Sequence, residues 1–182
     1  GAMVSVVCNN ALNRAVNEFG LLKPNLILDK SKELIIEQMG KGNNDVKDGM
    51  DISLCCLNTK TQELIFSGAN NPIYIIKKDA NSLDEIPADR QSVGKNFINH
   101  KFTASKIQLN LGDTLYLFTD GFADQFGGKK QKKYKYINFK KLLLNNTSDL
   151  LENQKKAIDE EFNSWKGDLE QIDDICILGI KI

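Results

Sequence analysis

The sequence lacks most of the features that announce a partner or a compartment. Its 24 basic and 24 acidic residues cancel to a net charge of zero, so no global field draws it to nucleic acid or to an anionic membrane. Any electrostatic chemistry must be local. The four cysteines, Cys8, Cys55, Cys56 and Cys176, show no C-x-x-C spacing. Two of them are adjacent in a strand-like run that points them to opposite faces, and the set reads as reduced, buried thiols of a cytoplasmic protein. No apolar run approaches the ~18 residues of a membrane span, and no signal-peptide pattern is present. There is no internal repeat, low-complexity tract or interdomain linker. These absences argue against a disulfide scaffold, a membrane span and a repeat array.

What is present is a chain of 182 residues with 41% hydrophobic content, enough for one domain with a sizeable core. Residues 3–19 place Val7, Ala11, Ala15 and Phe19 on one helical stripe, with Gly20 as a C-cap. A second helix opens at Pro24 and runs to Met39, ahead of Gly40 and Gly42. The period then shortens to strand-like runs at 52–57, 64–66 and 73–76, expected as an antiparallel meander, with a short strand at 83–86 and an irregular loop at 88–99. Residues 102–109 and 114–119, joined by Asn110-Leu-Gly-Asp113, predict a hairpin. Helical patterning returns at 139–144 and at 149–165. In the latter Leu151, Ile158, Phe162 and Trp165 share a face, and Asp149 with Glu152 forms an N-terminal cap. The last run, 175–180, is apolar on both faces and predicts a central strand. Helices at both ends and strands between them describe an α+β layered domain with a mostly antiparallel sheet.

The chemistry gathers where apolar runs meet acids. Residues 115–119 lead into Asp120, and Gly121 frees the backbone to turn there. Asp48-Gly-Met-Asp51 and Asp173-Asp174 lie before their own strands, so antiparallel neighbours would bring all three clusters to one edge. Converging carboxylates raise one another's pKa unless a cation neutralises them. Oxygen ligands favour Mg²⁺ or Mn²⁺ over zinc, and such sites activate water for phosphoester hydrolysis, with two ions roughly 3.5–4 Å apart.

Five stretches together resemble the successive motifs of the SpoIIE-like (stage II sporulation protein E) branch of the protein phosphatase 2C, or PPM, family. They are Asp48-Gly-Met-Asp51, Ser67-Gly-Ala-Asn-Asn-Pro72, Ala88-Asp-Arg-Gln-Ser-Val-Gly94, Leu117-Phe-Thr-Asp-Gly121 and Gln171-Ile-Asp-Asp174. The resemblance spans nearly the whole chain. It implies a four-layer α-β-β-α sandwich with two mostly antiparallel sheets and a two-metal Mn²⁺/Mg²⁺ centre. It also implies hydrolysis of phosphoserine or phosphothreonine by a metal-activated water, with no phosphoenzyme. Asp120 and Asp173 match metal-binding acids of the family; Asp174, Asp48 and Gly121 belong to the matching motifs. The family's Asp-x-Ser/Thr-Gly-His-Gly motif, which carries a metal-bridging aspartate, normally lies just before the helix matching residues 1–19. The expectation is therefore one SpoIIE-like domain over 1–182 that lacks the first strands, binds metal weakly and turns over poorly. Ser92 stands where relatives often carry proline.

By the same resemblance the substrate is a phosphoprotein, with phosphorylated anti-sigma-factor antagonists of bacterial partner switching as candidates. Relatives often carry an upstream sensor domain, and an exposed sheet edge would allow a homodimer. Contact with nucleic acid or membrane is not expected. The alternative is an inactive interaction or regulatory module that keeps the fold and the acidic rim. Cys8 and Arg14 fit the C-x₅-R spacing of cysteine-dependent phosphatases, but without a glycine to form a phosphate cradle and inside a helix that buries the thiol. The five lysines between 129 and 135 read as a solvated loop that could also steer a phosphorylated partner. His100 reads as an exposed loop residue.

Overall fold

The computed structural model describes residues 2–39, 49–78, 82–94, 100–147 and 150–182. In chain order it contains α1 (Ala2–Asn17), α2 (Pro24–Met39), β1 (Gly49–Met50), β2 (Ile52–Asn58), β3 (Glu63–Ala69), β4 (Ile73–Ile76), β5 (Leu83–Ile86), β6 (Val93–Gly94), β7 (Ser105–Gln108) and β8 (Thr114–Phe118). There follow α3 (Gly121–Asp124), β9 (Phe126–Gly127), β10 (Lys132–Lys133), α4 (Tyr136–Asn145), α5 (Leu151–Lys166) and β11 (Ile177–Lys181). The expected mixture of helix with antiparallel sheet is what forms. The chain divides into two units, Gly1–Pro72 with Ile86–Leu109, and Ile73–Glu85 with Asn110–Ile182.

In the first unit α1 buries Val7, Cys8, Ala11 and Ala15, the stripe its four-residue spacing predicts. Gly20, at φ 63°, ends the helix, and the Leu21 amide bonds back to the Ala15 carbonyl at 3.2 Å, the left-handed cap that glycine favours. Phe19 lies beyond the last helical turn, so the stripe no longer carries it inward. It is 46% exposed, with the Lys30 ammonium 4.4 Å from its ring centroid. From Pro24 onward α2 buries Ile27, Leu28, Leu34 and Ile35. Leu28, Leu34 and Ile35 pack with Phe102, Val93, Ala69 and with Val7, Cys8 and Ala11 of α1 in one cluster. The sheet of this unit has the order β2-β3-β7, all antiparallel, and β1 pairs with β6.

In the second unit the sheet order is β11-β8-β4-β5. An aromatic cluster fills its core: Tyr74 stands 4.4 Å from Phe118, and Phe122 stands 5.3 Å from Phe162. Trp165 is half-buried and joins this cluster, as its spacing on α5 predicts. No helix among the described residues is long and apolar enough to cross a membrane.

Several sequence expectations need correction. The meander stops after β3, because β4 joins β8 in another sheet. Asn70 adopts φ 58° and Pro72 has no amide to donate, so the chain turns away from its ladder. The hairpin across 110–113 does not form either: β7 pairs with β3, and β8 pairs with β4 and β11. The buried Asp113 carboxylate accepts hydrogen bonds from the Asn110 amide (2.9 Å), the Lys78 amide (3.1 Å) and Lys77 Nζ (3.0 Å). It ties the turn to the end of β4. Among the described residues β11 is an end strand, with Leu178 51% exposed; apolarity on both faces reports what covers the faces, not whether both edges are paired. Helix α5 starts after Leu150, which makes no side-chain cap bond, and the expected cap Asp149 lies outside the described residues. All four cysteines are free thiols, but only Cys8 is buried; Cys55 is intermediate, and Cys56 and Cys176 are exposed.

Candidate functional site

The rim of the second unit is built by strand pairing. Phe118 of β8 lies opposite Ile177 of β11, so the residues just after β8 run beside those just before β11. Three hydrogen bonds seal this junction. The Thr119 amide donates to the Cys176 carbonyl, the Cys176 amide donates to Thr119 Oγ1, and Thr119 Oγ1 donates to the Asp174 carbonyl, each at 3.0 Å. Gly121 opens α3 at the point of closest approach, where a Cβ would come within 2.6 Å of the Asp174 carbonyl oxygen. The segments that carry Asp120 and Asp173-Asp174 therefore run beside one another at one edge of this sheet, and all three acids are exposed.

Each acid is held by its backbone. Asp120 is the N-cap residue of α3 but its side chain makes no cap bond, leaving the carboxylate to the rim; its carbonyl accepts from the Asp124 amide at 3.0 Å. Asp173 Oδ1 accepts from the Asp174 amide at 2.7 Å, and the Asp173 carbonyl accepts from Gln171 Nε2 at 2.8 Å. The Tyr136 hydroxyl is pushed up to about 12 by burial and then by the negative charges of Asp120, Asp124 and Glu85, so the field of the acidic rim is felt there.

Gln125, which the sequence reading passed over, holds this edge together. It is fully buried. Its Nε2 donates to the carbonyls of Glu170 (2.9 Å) and Phe126 (3.0 Å), while its Oε1 accepts from the Ile172 amide at 3.3 Å. Its own carbonyl accepts from the Tyr134 amide and from Trp165 Nε1. A glutamine one residue past a helix carries no sequence signal; only the fold shows that it clamps the approach to Asp173.

Asp51, of the third acidic cluster, precedes β2, which pairs with β3 in the first unit. Asp48 lies outside the described residues. Asp51 Oδ1 accepts from Ser92 Oγ at 2.5 Å and from Asn70 Nδ2 at 2.9 Å. The Asn70 amide donates to the Asp89 carbonyl, and the Asp89 amide donates to the Gly68 carbonyl. Three of the five motif stretches thus converge in one unit and two in the other. The serine at 92 does more than shape a loop, since its hydroxyl bonds the carboxylate of Asp51.

The acids at the rim of the second unit fit a hard divalent cation in kind: they are oxygen donors, solvent-facing, and close along two neighbouring backbones. Among the described residues no three or more of His, Cys, Asp and Glu are grouped to hold a metal ion. A cavity of about 880 Å³ lies under α5, lined by Tyr116, Ile158, Phe162 and Ile177, and none of the rim acids lines it.

Cys8 is only 5% exposed and burial pushes its thiol up, while Arg14 Nε is bonded to Glu18 at 2.9 Å. That pair has neither the thiolate nor the anion-binding guanidinium of a cysteine-dependent phosphatase. His100 is exposed, and its carbonyl accepts from Gln91 Nε2.

A family model for stage II sporulation protein E (SpoIIE) matches residues 1–182. Among solved structures, the SiaA PP2C domain of Pseudomonas aeruginosa is similar at a TM-score of 0.89 and 24% identity, covering 100% of this chain and 70% of that one. The phosphatase domain of the cell fate determinant SpoIIE from Bacillus subtilis is similar at 0.57 and 16%, covering 96% and 73%. The PPM Ser-Thr phosphatase MsPP from Mycobacterium smegmatis, in complex with cacodylate, is similar at 0.59 and 10%, covering 99% and 82%. Comparison with curated protein sequences finds no match. The structural likenesses show a shared protein phosphatase 2C fold.

Proposed function

The chain belongs to the stage II sporulation protein E family, and on that premise we propose that it is a metal-dependent protein serine/threonine phosphatase domain. Its substrate is a phosphoserine or phosphothreonine on a bacterial signalling protein of the cytoplasm, a phosphorylated anti-sigma-factor antagonist. The observation that supports this reading is the close approach of Gly121 to the Asp174 carbonyl, which brings the backbone that follows Asp120 against the Asp173-Asp174 segment. Asp120 and Asp173 would hold Mn²⁺ or Mg²⁺, with Asp174 and the Gly121 backbone beside them. When bound, such an ion supplies Lewis acidity toward a phosphoryl oxygen and a nucleophilic water at neutral pH.

The residues of the chain supply positioning. Thr119 and Gln125 hold the two acidic segments in register, so that the carboxylates meet a ligand without reorganising. The rim is open, which suits a phosphorylated side chain presented on a protein surface. The test is phosphate release from a phosphoserine protein by the full-length protein, with Mn²⁺ and with a chelator. Mn²⁺-dependent release supports the enzyme; no release in either condition would leave an interaction module of the same fold.

A further inference from the structure

We propose that the lysine hairpin over residues 127–135 docks the acidic residues that flank the phosphorylated side chain of a protein substrate. The inference rests on the phosphatase reading and adds a specificity surface to it. Lys129, Lys130, Lys132, Lys133 and Lys135 are all exposed, in a chain whose net charge is zero. Lys133 Nζ pairs with Asp124 Oδ2 at 3.0 Å. The Asp124 amide in turn bonds to the Asp120 carbonyl at 3.0 Å, so the hairpin begins one helical turn, about 5.4 Å of rise, from the candidate site. Among the described residues the other four lysines make no ion pair.

The hairpin is a built platform rather than a loose charged loop. The Gly128 amide donates to the Trp165 carbonyl at 2.8 Å, and the Gln131 amide closes the turn onto the Gly128 carbonyl at 3.1 Å. A Cβ on Gly127 would come within 1.9 Å of the Trp165 carbonyl oxygen, so the strand lies directly on the end of α5. Tyr134 is 4% exposed and packs edge-on against Phe122 and Trp165. Its amide bonds to the carbonyl of Gln125, the residue that also clamps the approach to Asp173. The lysines are thus carried by the same scaffold as the acids, and a pre-ordered cationic surface loses less entropy on binding.

Charge chooses the partner. Lys129, Lys130, Lys132 and Lys133 form a run broken only by Gln131, and of the two paired strands only Phe126, opposite Lys133, exposes an apolar side chain. Charge therefore outweighs apolar anchoring on this surface, whereas a membrane-binding helix carries a whole apolar face. Placed beside an acidic rim, the lysines offset its repulsion toward a phosphorylated, acidic protein loop and steer that loop toward it.

The test compares the wild-type protein with the triple variant Lys129→Glu, Lys130→Glu, Lys132→Glu, with circular dichroism as the check on folding. The probes are a phosphoserine peptide flanked by glutamates, its unphosphorylated form, phosphatidylserine vesicles, and para-nitrophenyl phosphate. The variant is expected to bind both peptides roughly tenfold or more weakly at low salt, with a flatter salt dependence, while its hydrolysis of para-nitrophenyl phosphate is unchanged. Equal peptide affinity in the two proteins overturns the proposal, as does lysine-dependent binding to the vesicles in preference to the peptides. Lysine-dependent peptide binding with no hydrolysis of para-nitrophenyl phosphate by the full-length protein with Mn²⁺ supports the docking surface and refutes the phosphatase reading alone.

Discussion

The Asp174 carbonyl oxygen stands where a side chain on Gly121 would have to be, 2.6 Å from an added Cβ. The contact is backbone to glycine, so no rotamer change relieves it. Gly121→Ala is expected to cost about 1–3 kcal/mol and to lower the melting temperature by several degrees. It should lower phosphatase activity further than the lost stability explains, because the displaced segment carries Asp173 and Asp174. Thermal melts with activity measured well below the transition separate the two effects.

Gln125 gives a second prediction. Gln125→Leu removes the partners of the Ile172 amide and of the Glu170 carbonyl in two part-buried hydrogen bonds. Each lost bond costs about 0.5–1.5 kcal/mol. Hydrogen exchange should quicken in residues 170–174 while the core strand β8 stays protected. Unchanged exchange there would show that Gln125 does not hold the acidic segment.

Asp113 predicts a pH effect on stability. Burial alone raises its carboxyl, but the amides of Asn110 and Lys78 and the ammonium of Lys77 together hold it below the usual range. Its folded value therefore lies under the unfolded value of about 3.9. The stabilisation is present above that unfolded value and is lost as pH falls through the folded one. Asp113→Asn should destabilise the protein at neutral pH and flatten the acid limb of its stability curve below about pH 4. Urea titrations across pH measure both.

The elements were largely legible in the sequence, because helical stripes and β-runs depend on local periodicity. Val7, Ala11 and Ala15 face inward as spaced, and β4 has the bounds expected of it. Strand partnership was not legible. The turn at 110–113 has hairpin composition, yet its carboxylate bonds to residues that follow β4, a tertiary choice no local pattern encodes. At the candidate site, the adjacency of the segments that carry Asp120 and Asp173 follows from strand-end position, since β8 and β11 pair antiparallel. Gln125 was missed because its role lies in two side-chain hydrogen bonds, to Glu170 and Ile172, that reach a segment distant in sequence. Ser92 was seen as a loop residue, whereas its hydroxyl holds Asp51.

The most direct test of the account is the Mn²⁺-dependent release of phosphate from a phosphoserine protein by the full-length protein and its Asp120→Asn variant. Asn keeps the size of the side chain, and the exposed carboxylate makes no cap bond that the fold depends on, so the variant should melt within about 0.5 kcal/mol of wild type. The account predicts Mn²⁺-dependent turnover in the wild type and its loss in the variant. Retained turnover in a folded Asp120→Asn protein would contradict it.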